Sequence, residues 1–187
     1  MNQPFVSQFS EVEFRYMHSR YTATIENFLF APTGNVPILV PGSSDLYLIA
    51  NVFSLRFKSD AIVRSTTSEI NPVGRKVSLR IDRELNKFNG TGDYEISNGL
   101  LVPKYNKVNF TRLELTWKEH LPFFFKKHTL TLSARGGTIL GPAVDEFFDF
   151  YAGGLVGMKG YPFYALGGNE MAMLGLTYRF PLVNNID

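Results

Sequence analysis

The sequence predicts an all-β fold, an antiparallel up-and-down sheet, on three observations. Apolar and polar residues alternate with a period of two through most of the chain, which puts them on opposite faces of a strand. Runs rich in Gly, Pro and Asn interrupt the alternation where strands must reverse. Aromatic residues make up 14% of the 187 residues, 17 Phe and 9 Tyr among them, and these residue types suit a pleated, half-exposed surface. Helical periodicity is absent.

Taken in order, the first four strands are weak: Glu11 to His18, Tyr21 to Phe30, Asp45 to Phe57 and Ala61 to Ile70. The fifth is strong. From Arg75 to Lys87, Val77, Leu79, Ile81 and Leu85 point one way and Ser78, Arg80, Asp82, Glu84 and Asn86 the other. The sixth, Arg112 to Lys118, sets Leu113, Leu115 and Trp117 against Arg112, Glu114, Thr116 and Lys118. The seventh, His128 to Arg135, opposes Leu130, Leu132 and Ala134 to Thr129, Thr131, Ser133 and Arg135. The last places Leu174, Leu176, Tyr178 and Phe180 opposite Gly175, Thr177 and Arg179. Eight strands result, in a single domain over residues 1–187.

The connections follow from the breakers. Ala31 to Ser44 carries Pro32, Gly34, Pro37, Pro41 and Gly42 and reads as a loop. Asn71, Pro72, Val73 and Gly74 read as a tight turn, because Pro presets φ and Gly supplies a positive one. Leu121 and Pro122 read as another turn. Asn89 to Pro103, with three X-Gly pairs, reads as a longer mobile loop. Counted this way the alternation of short and long connections is imperfect, since the Ala31 to Ser44 loop falls where a short turn belongs. Residues 140–169 lack clear alternation, and a segment of that length without strands of its own is uncommon unless functional.

Composition narrows the function. The net charge of +2 is too small to argue for nucleic acid. Cysteine is missing, which excludes a disulfide framework, thiolate metal sites and a thiol nucleophile. His18, His120 and His128 sit in separate strands or turns with no ligand spacing. No Gly-x-Ser-x-Gly elbow occurs. Gly154, Gly157 and Gly160 suggest a phosphate cradle, but no Gly precedes Lys159 and no Ser or Thr follows it, so that pattern fails. Asp145, Glu146 and Asp149 open a loop and read as solvated carboxylates. Neither catalysis, metal nor cofactor is expected. No apolar run is long enough for a transmembrane helix, while a membrane barrel needs only alternation.

The most informative stretch is Asp145 to Tyr161. It sets Phe147, Phe148, Phe150 and Tyr151 before Gly153 and Gly154, then holds Lys159 between Met158 and Gly160. Glycine lets a backbone approach a wall closely and take positive φ, and a long cation seeks an acceptor. The loop is the candidate functional element.

This stretch resembles the loop of the outer-membrane assembly-factor superfamily, the BamA-type insertases and two-partner secretion transporters, with the pattern aromatic-x-x-Phe-Tyr-x-Gly-Gly, a spacer, then Val-Arg-Gly-Phe/Tyr. Phe147, Phe150, Tyr151, Gly153 and Gly154 match its first half, and Met158, Lys159, Gly160 and Tyr161 stand in its second. Gly167, Gly168, Asn169 and the strand after them are similar to the family's Gly-Gly-Asn strand opening. Lys159 departs from the family's Arg and loses its planar five-donor fork.

The resemblance implies a transmembrane β-barrel in the outer membrane of a Gram-negative cell, of which this chain holds about eight of sixteen strands. It implies contact with outer-membrane lipid, a parent chain that supplies the remaining strands and periplasmic domains, and unfolded outer-membrane or secreted proteins as clients. The parent would insert or translocate proteins; the alternative is a barrel that anchors an unrelated periplasmic propeller or hydrolase. The first residues carry neither a basic n-region nor an apolar h-region, so the chain reads as a fragment. By the same resemblance Lys159 enters the barrel lumen with Tyr161 beside it, and the strand carrying Gly168, Asn169, Gly175, Thr177 and Arg179 receives the loop. Its acceptor would be Asp82, Glu84 or Glu114, or a carboxylate on a strand that this chain lacks.

Overall fold

The structure, a computed structural model, describes residues 10–30, 37–63, 72–123, 128–154, 158 and 160–180. Among them the strands are β1 (Ser10–Ile25), β2 (Phe28–Phe30), β3 (Ile38–Val40), β4 (Ser43–Ile62), β5 (Gly74–Phe88), β6 (Tyr94–Ser97), β7 (Leu100–Pro103), β8 (Asn106–Phe123), β9 (His128–Leu140), β10 (Phe150–Ala152), β11 (Leu166–Gly168) and β12 (Glu170–Arg179). The fold is all-β. Six strands form one antiparallel sheet in the order β1-β4-β5-β8-β9-β12, and three small pairs, β2-β3, β6-β7 and β10-β11, sit within its connections. Each long strand pairs with the next long strand in the chain, so the sheet is an up-and-down meander. It is open, with β1 and β12 at its edges.

Six long strands are described where eight were expected, because β1 joins the first expected strand to the start of the second, and β4 runs from the third expected strand into the first residues of the fourth. Ser10–Ile25 runs through the supposed break at His18, and Ser43–Ile62 runs through Lys58 and Ser59. In β1 the exposed apolar residues are Val12, Phe14 and Tyr16, then Met17, Tyr21 and Ile25. The alternation changes phase inside one strand, as a one-residue bulge would make it do, and pattern matching cuts the strand there. Residues 64–71, including most of the fourth expected strand and Asn71, lie outside the described residues. With the count corrected, the connections alternate: 26–42, 89–105 and 141–169 are long, and 63–73 and 124–127 are shorter.

Two expected loops contain strands. Asn89 to Pro103 forms the β6-β7 hairpin, with Ser97 opposite Leu100 around Asn98 (φ 52°) and Gly99 (φ 78°). Positive φ at both central residues matches the right-handed twist of the flanking strands, and Asn-Gly accepts it at least cost. The Ala31 to Ser44 segment contributes β3 and the start of β4. Leu121 and Pro122 are not a turn: they lie in β8 opposite Leu130 and Thr129. Pro122 sits near the strand's end, where a missing donor costs the ladder least.

The chain divides into two compact units. One comprises Tyr16–Val52 and Glu84–Asn109. Its buried apolar side chains are Leu48, Ala50, Val52 and Phe88. Several polar groups there are paired locally: Asn89 Nδ2 donates to Asp93 O (3.0 Å), Asp93 N–H returns a bond to Asn89 Oδ1 (3.0 Å), and the Tyr105 hydroxyl donates to Leu46 O (2.7 Å).

The other unit comprises Met1–Arg15, Phe53–Arg83 and Phe110–Asp187. Its sheet has one apolar and one polar face. Register places Trp117 opposite Ala134 and Ala134 opposite Leu174, and it lines up Leu121, Leu130 and Tyr178 on that same apolar face. The polar face carries Lys118, Ser133 and Gly175 in one row and His120, Thr131 and Thr177 in the next. Along the strands several polar side chains are buried and several leucines exposed. Asp82 is 2% exposed and Thr129 1%, while Leu115 is 47% exposed and Leu174 89%.

Candidate functional site

The site is built where the segment after β9 returns over the polar face of the second unit. β9 contains Gly136 and Gly137, an unusual pair in a strand interior, where glycine often marks close approach of other chain atoms. Gly137 lies on the polar face opposite Glu114. A Cβ there would stand 2.7 Å from Cζ of Phe150, so the ring of Phe150 occupies the space that a side chain would fill.

Local chemistry shapes the return. Gly141 takes a φ of 147° as the chain leaves β9. Asp145 then caps a short 3-10 turn, Glu146–Phe148, its carboxylate accepting from Phe147 N–H at 2.9 Å. The turn drives Phe148 down onto Phe110 of β8, with ring centroids 5.2 Å apart and planes at 66°. Phe110 is fully buried, and Phe148 and Phe150 are each 5% exposed. Burial of each such ring contributes roughly 1.5–3 kcal/mol.

Arg112, two residues along β8 and on the same face as Phe110, completes the seat. Its Nη2 donates to Phe148 O at 2.5 Å, and its guanidinium carbon lies 4.8 Å from the centroid of the Phe150 ring. One planar cation thus satisfies a loop carbonyl and stacks against a loop aromatic, which a lysine ammonium could not do in the same way. The first half of the loop is held by Phe110 and Arg112 from β8 and Gly137 from β9.

Beyond the seat the chain forms a small closed excursion. β10 pairs with β11, with Phe150 opposite Gly168 and Tyr151 opposite Gly167. Tyr151 is half-buried, donates its hydroxyl to Glu146 O at 2.6 Å, and stands edge-on to Tyr164 with centroids 5.4 Å apart. A Cβ on Gly153 would lie 2.3 Å from Pro162 O, and one on Gly154 2.7 Å from Tyr161 O. Both glycines permit the two arms to touch, and Gly154 N–H donates to Pro162 O at 3.2 Å. Met158 N–H donates to Gly153 O at 3.4 Å, and Tyr161 N–H to Met158 O at 3.3 Å. Gly160 takes a φ of 92° in this turn. Lys159 lies outside the described residues.

The expected site residues are therefore distributed as follows. Phe150 is buried on the polar face, Gly153 and Gly154 close the excursion, and Tyr161 is 53% exposed. The Asn169 carbonyl accepts from Ile139 N–H at 2.9 Å where β12 begins. Gly175, Thr177 and Arg179 share the polar face, opposite Ser133, Thr131 and Thr129. The would-be Cβ of Gly175 meets Ser133 Oγ at 2.5 Å, and among the described residues no loop atom is nearer. The expected acceptor carboxylates have partners of their own. Asp82 pairs with Arg80 at 2.8 Å, Glu114 lies 3.9 Å from Arg135, and Glu84 accepts from Asn86 Nδ2 at 3.1 Å.

Sequence reasoning missed Phe110, Arg112 as a seat, and Gly137. A signal for Gly137 was present, the Gly136-Gly137 pair inside an alternating run. Comparison with protein-family models, with curated proteins and with solved structures finds no match to this chain.

Proposed function

We propose that this chain is part of the wall of a transmembrane β-barrel in a bacterial outer membrane, and that its parent acts in insertion or translocation of proteins there. The observation that carries the wall reading is the inverted burial of the second unit. Asp82, His120, Thr129 and Thr131 are buried, whereas Leu79, Leu115, Leu174 and Leu176 are exposed. A sheet folded in water buries its leucines and exposes its carboxylates; a barrel with a polar interior and lipid outside does the reverse. His128, Tyr178 and Phe180 add an aromatic cluster on the apolar face, with Tyr178 and Phe180 stacked at 5.7 Å, as expected of a membrane-interface girdle. The up-and-down order and the alternation of long and short connections support the same reading.

Insertion or translocation rests on the resemblance of residues 145–161 to the assembly-factor loop and on the seating of Phe148 and Phe150 against the polar face. The loop braces the inner wall, and the exposed tip around Tyr161, Phe163 and Tyr164 is free to meet a client chain.

The absence of native cysteine makes the wall reading directly testable. Single cysteines at Leu115 and Leu174 are expected to be quenched by nitroxide-labelled lipid in vesicles, and cysteines at Ser133 and Thr177 to react with a membrane-impermeant maleimide. A lipid-free, monomeric protein whose Leu115 and Leu174 positions react with that maleimide would overturn it. For the activity, vesicles carrying the full chain should speed the folding of a urea-unfolded outer-membrane protein over vesicles carrying an unrelated barrel. Correct wall topology without acceleration would leave an anchoring barrel instead.

A further inference from the structure

A recess of about 380 Å³ opens on the polar face of the second unit, away from the loop seat, lined by Lys58 and Asp60 of β4, Lys76 and Ser78 of β5, and Thr116 and Lys118 of β8. Two contacts define how β5 meets β8. Arg75 Nε donates to Glu119 Oε2 at 2.5 Å, and Arg83 Nη1 donates to Thr111 Oγ1 at 3.1 Å. Both fit one antiparallel register, in which Lys76 would lie opposite Lys118 and Ser78 opposite Thr116, and all four residues line the same recess. Like charges facing each other across a strand pair are destabilising, so this pair is not there to hold the sheet.

Carboxylates compensate the cluster only in part. Asp60 lies 2.9 Å from Lys76 Nζ, Glu11 and Glu13 reach Lys58 only at 3.9 and 4.0 Å, and Lys118 has no carboxylate within ion-pair distance among the described residues. Three ammonium groups thus share one close carboxylate and two more distant ones, and Ser59, Ser78 and Thr116 add hydroxyl residues to the lining. An ammonium at Lys118 with no carboxylate partner among the described residues, a second at Lys58 held only at 3.9 and 4.0 Å, and flanking hydroxyls suit a compact anion with several acceptor oxygens. The volume falls in the range of small-ligand sites, and rings of lysine are how protein walls select phosphate and other anions.

We propose that this recess binds a phosphoryl dianion, as free phosphate or as the phosphate group of a small solute. The site stands on the polar face alone and does not depend on an insertion activity. Bound phosphate bridges Lys118 and Lys58, with Ser78 and Thr116 donating, and removes the repulsion between Lys118 and Lys76.

The test uses the full chain in neutral detergent at constant ionic strength, titrated with inorganic phosphate, glycerol 3-phosphate and glycerol. Wild-type protein should bind both phosphates saturably and glycerol not at all, and phosphate should raise its Tm. Tighter binding of glycerol 3-phosphate assigns the site to phosphorylated solutes, and tighter binding of inorganic phosphate to the free ion. Lys118→Gln should weaken binding by about tenfold or more, the factor expected when one charge-assisted partner is lost, and should raise the Tm of the ligand-free protein by relieving the repulsion. Lys58→Gln should weaken binding without that rise, and Lys107→Gln, outside the recess, should change neither. Absence of saturable phosphate binding below about 10 mM, the weak limit of specific recognition, or unchanged binding in Lys118→Gln and Lys58→Gln, would overturn the proposal.

Discussion

Gly137→Ala is the most discriminating perturbation of the loop seat. The added methyl carbon would stand 2.7 and 2.8 Å from two atoms of the Phe150 ring and 3.2 Å from Leu113 O. The carbonyl belongs to the sheet and holds its place, so the ring must leave. Displacing Phe150 loses roughly 1.5–3 kcal/mol of burial and about 0.5–2 kcal/mol of its contact with Arg112, together about 2–5 kcal/mol against the seated loop. The sheet itself should not weaken, because alanine is a better strand residue than glycine. Gly136→Ala is the matched control: its new Cβ would have as nearest neighbour Met171 O at 3.6 Å, an ordinary contact. Native-state hydrogen exchange reads the outcome. Amides of β10 should lose protection by roughly thirty-fold to several thousand-fold in Gly137→Ala, at tenfold per 1.4 kcal/mol, while β8 and β9 and the whole of Gly136→Ala stay near wild type. Equal protection of Phe150 and Ala152 in the two variants would refute the seating of the loop on β9.

Three further outcomes follow from the same geometry. Phe110→Ala empties the fully buried position beneath Phe148 and should cost about 3–5 kcal/mol in chemical denaturation; a loss under about 1 kcal/mol would show that the packing there is loose. Leu115→Arg should destabilise the lipid-embedded protein by about 2–4 kcal/mol if it lies near mid-membrane, whereas Ser133→Asp, opposite Lys118, should be tolerated; equal effects in a vesicle unfolding assay would contradict the assignment of faces. Gly99→Val places a β-branched residue at a φ of 78° with nothing among the described residues within 4 Å of its Cβ. Its cost of about 1–2 kcal/mol is therefore backbone strain alone and should appear as selective loss of the β6-β7 cross-strand NMR contacts, with the six-stranded sheet unchanged.

Much of this protein is local in origin, and that part was legible without coordinates. The period-two alternation of Val77 to Leu85, Leu113 to Trp117 and Leu174 to Phe180 determines an all-β chain and assigns each side chain to a face, because pleating alone decides which way a residue points. The Phe-Tyr-x-Gly-Gly stretch marks the loop because glycine density reports close backbone approach wherever it occurs. Continuity of strands was less legible: the phase change within Ser10–Ile25 mimics a break, and Asn98-Gly99 defines a hairpin only once Tyr94 to Ser97 and Leu100 to Pro103 are seen to pair.

Tertiary structure alone decided who meets whom. Phe110 and Phe148 are separated by the rest of β8 and the whole of β9, and nothing in the periodicity of either segment ties them together. Arg112 looks in sequence like any other polar-face residue, yet it bonds the Phe148 carbonyl and stacks on Phe150. The opposition of Lys76 and Lys118 depends on the register between β5 and β8, and a shift of one residue would send one of them to the other face. Alternation is a property of each strand by itself, whereas register and loop seating are set by contacts distant in the chain, and their free energy belongs to no single segment.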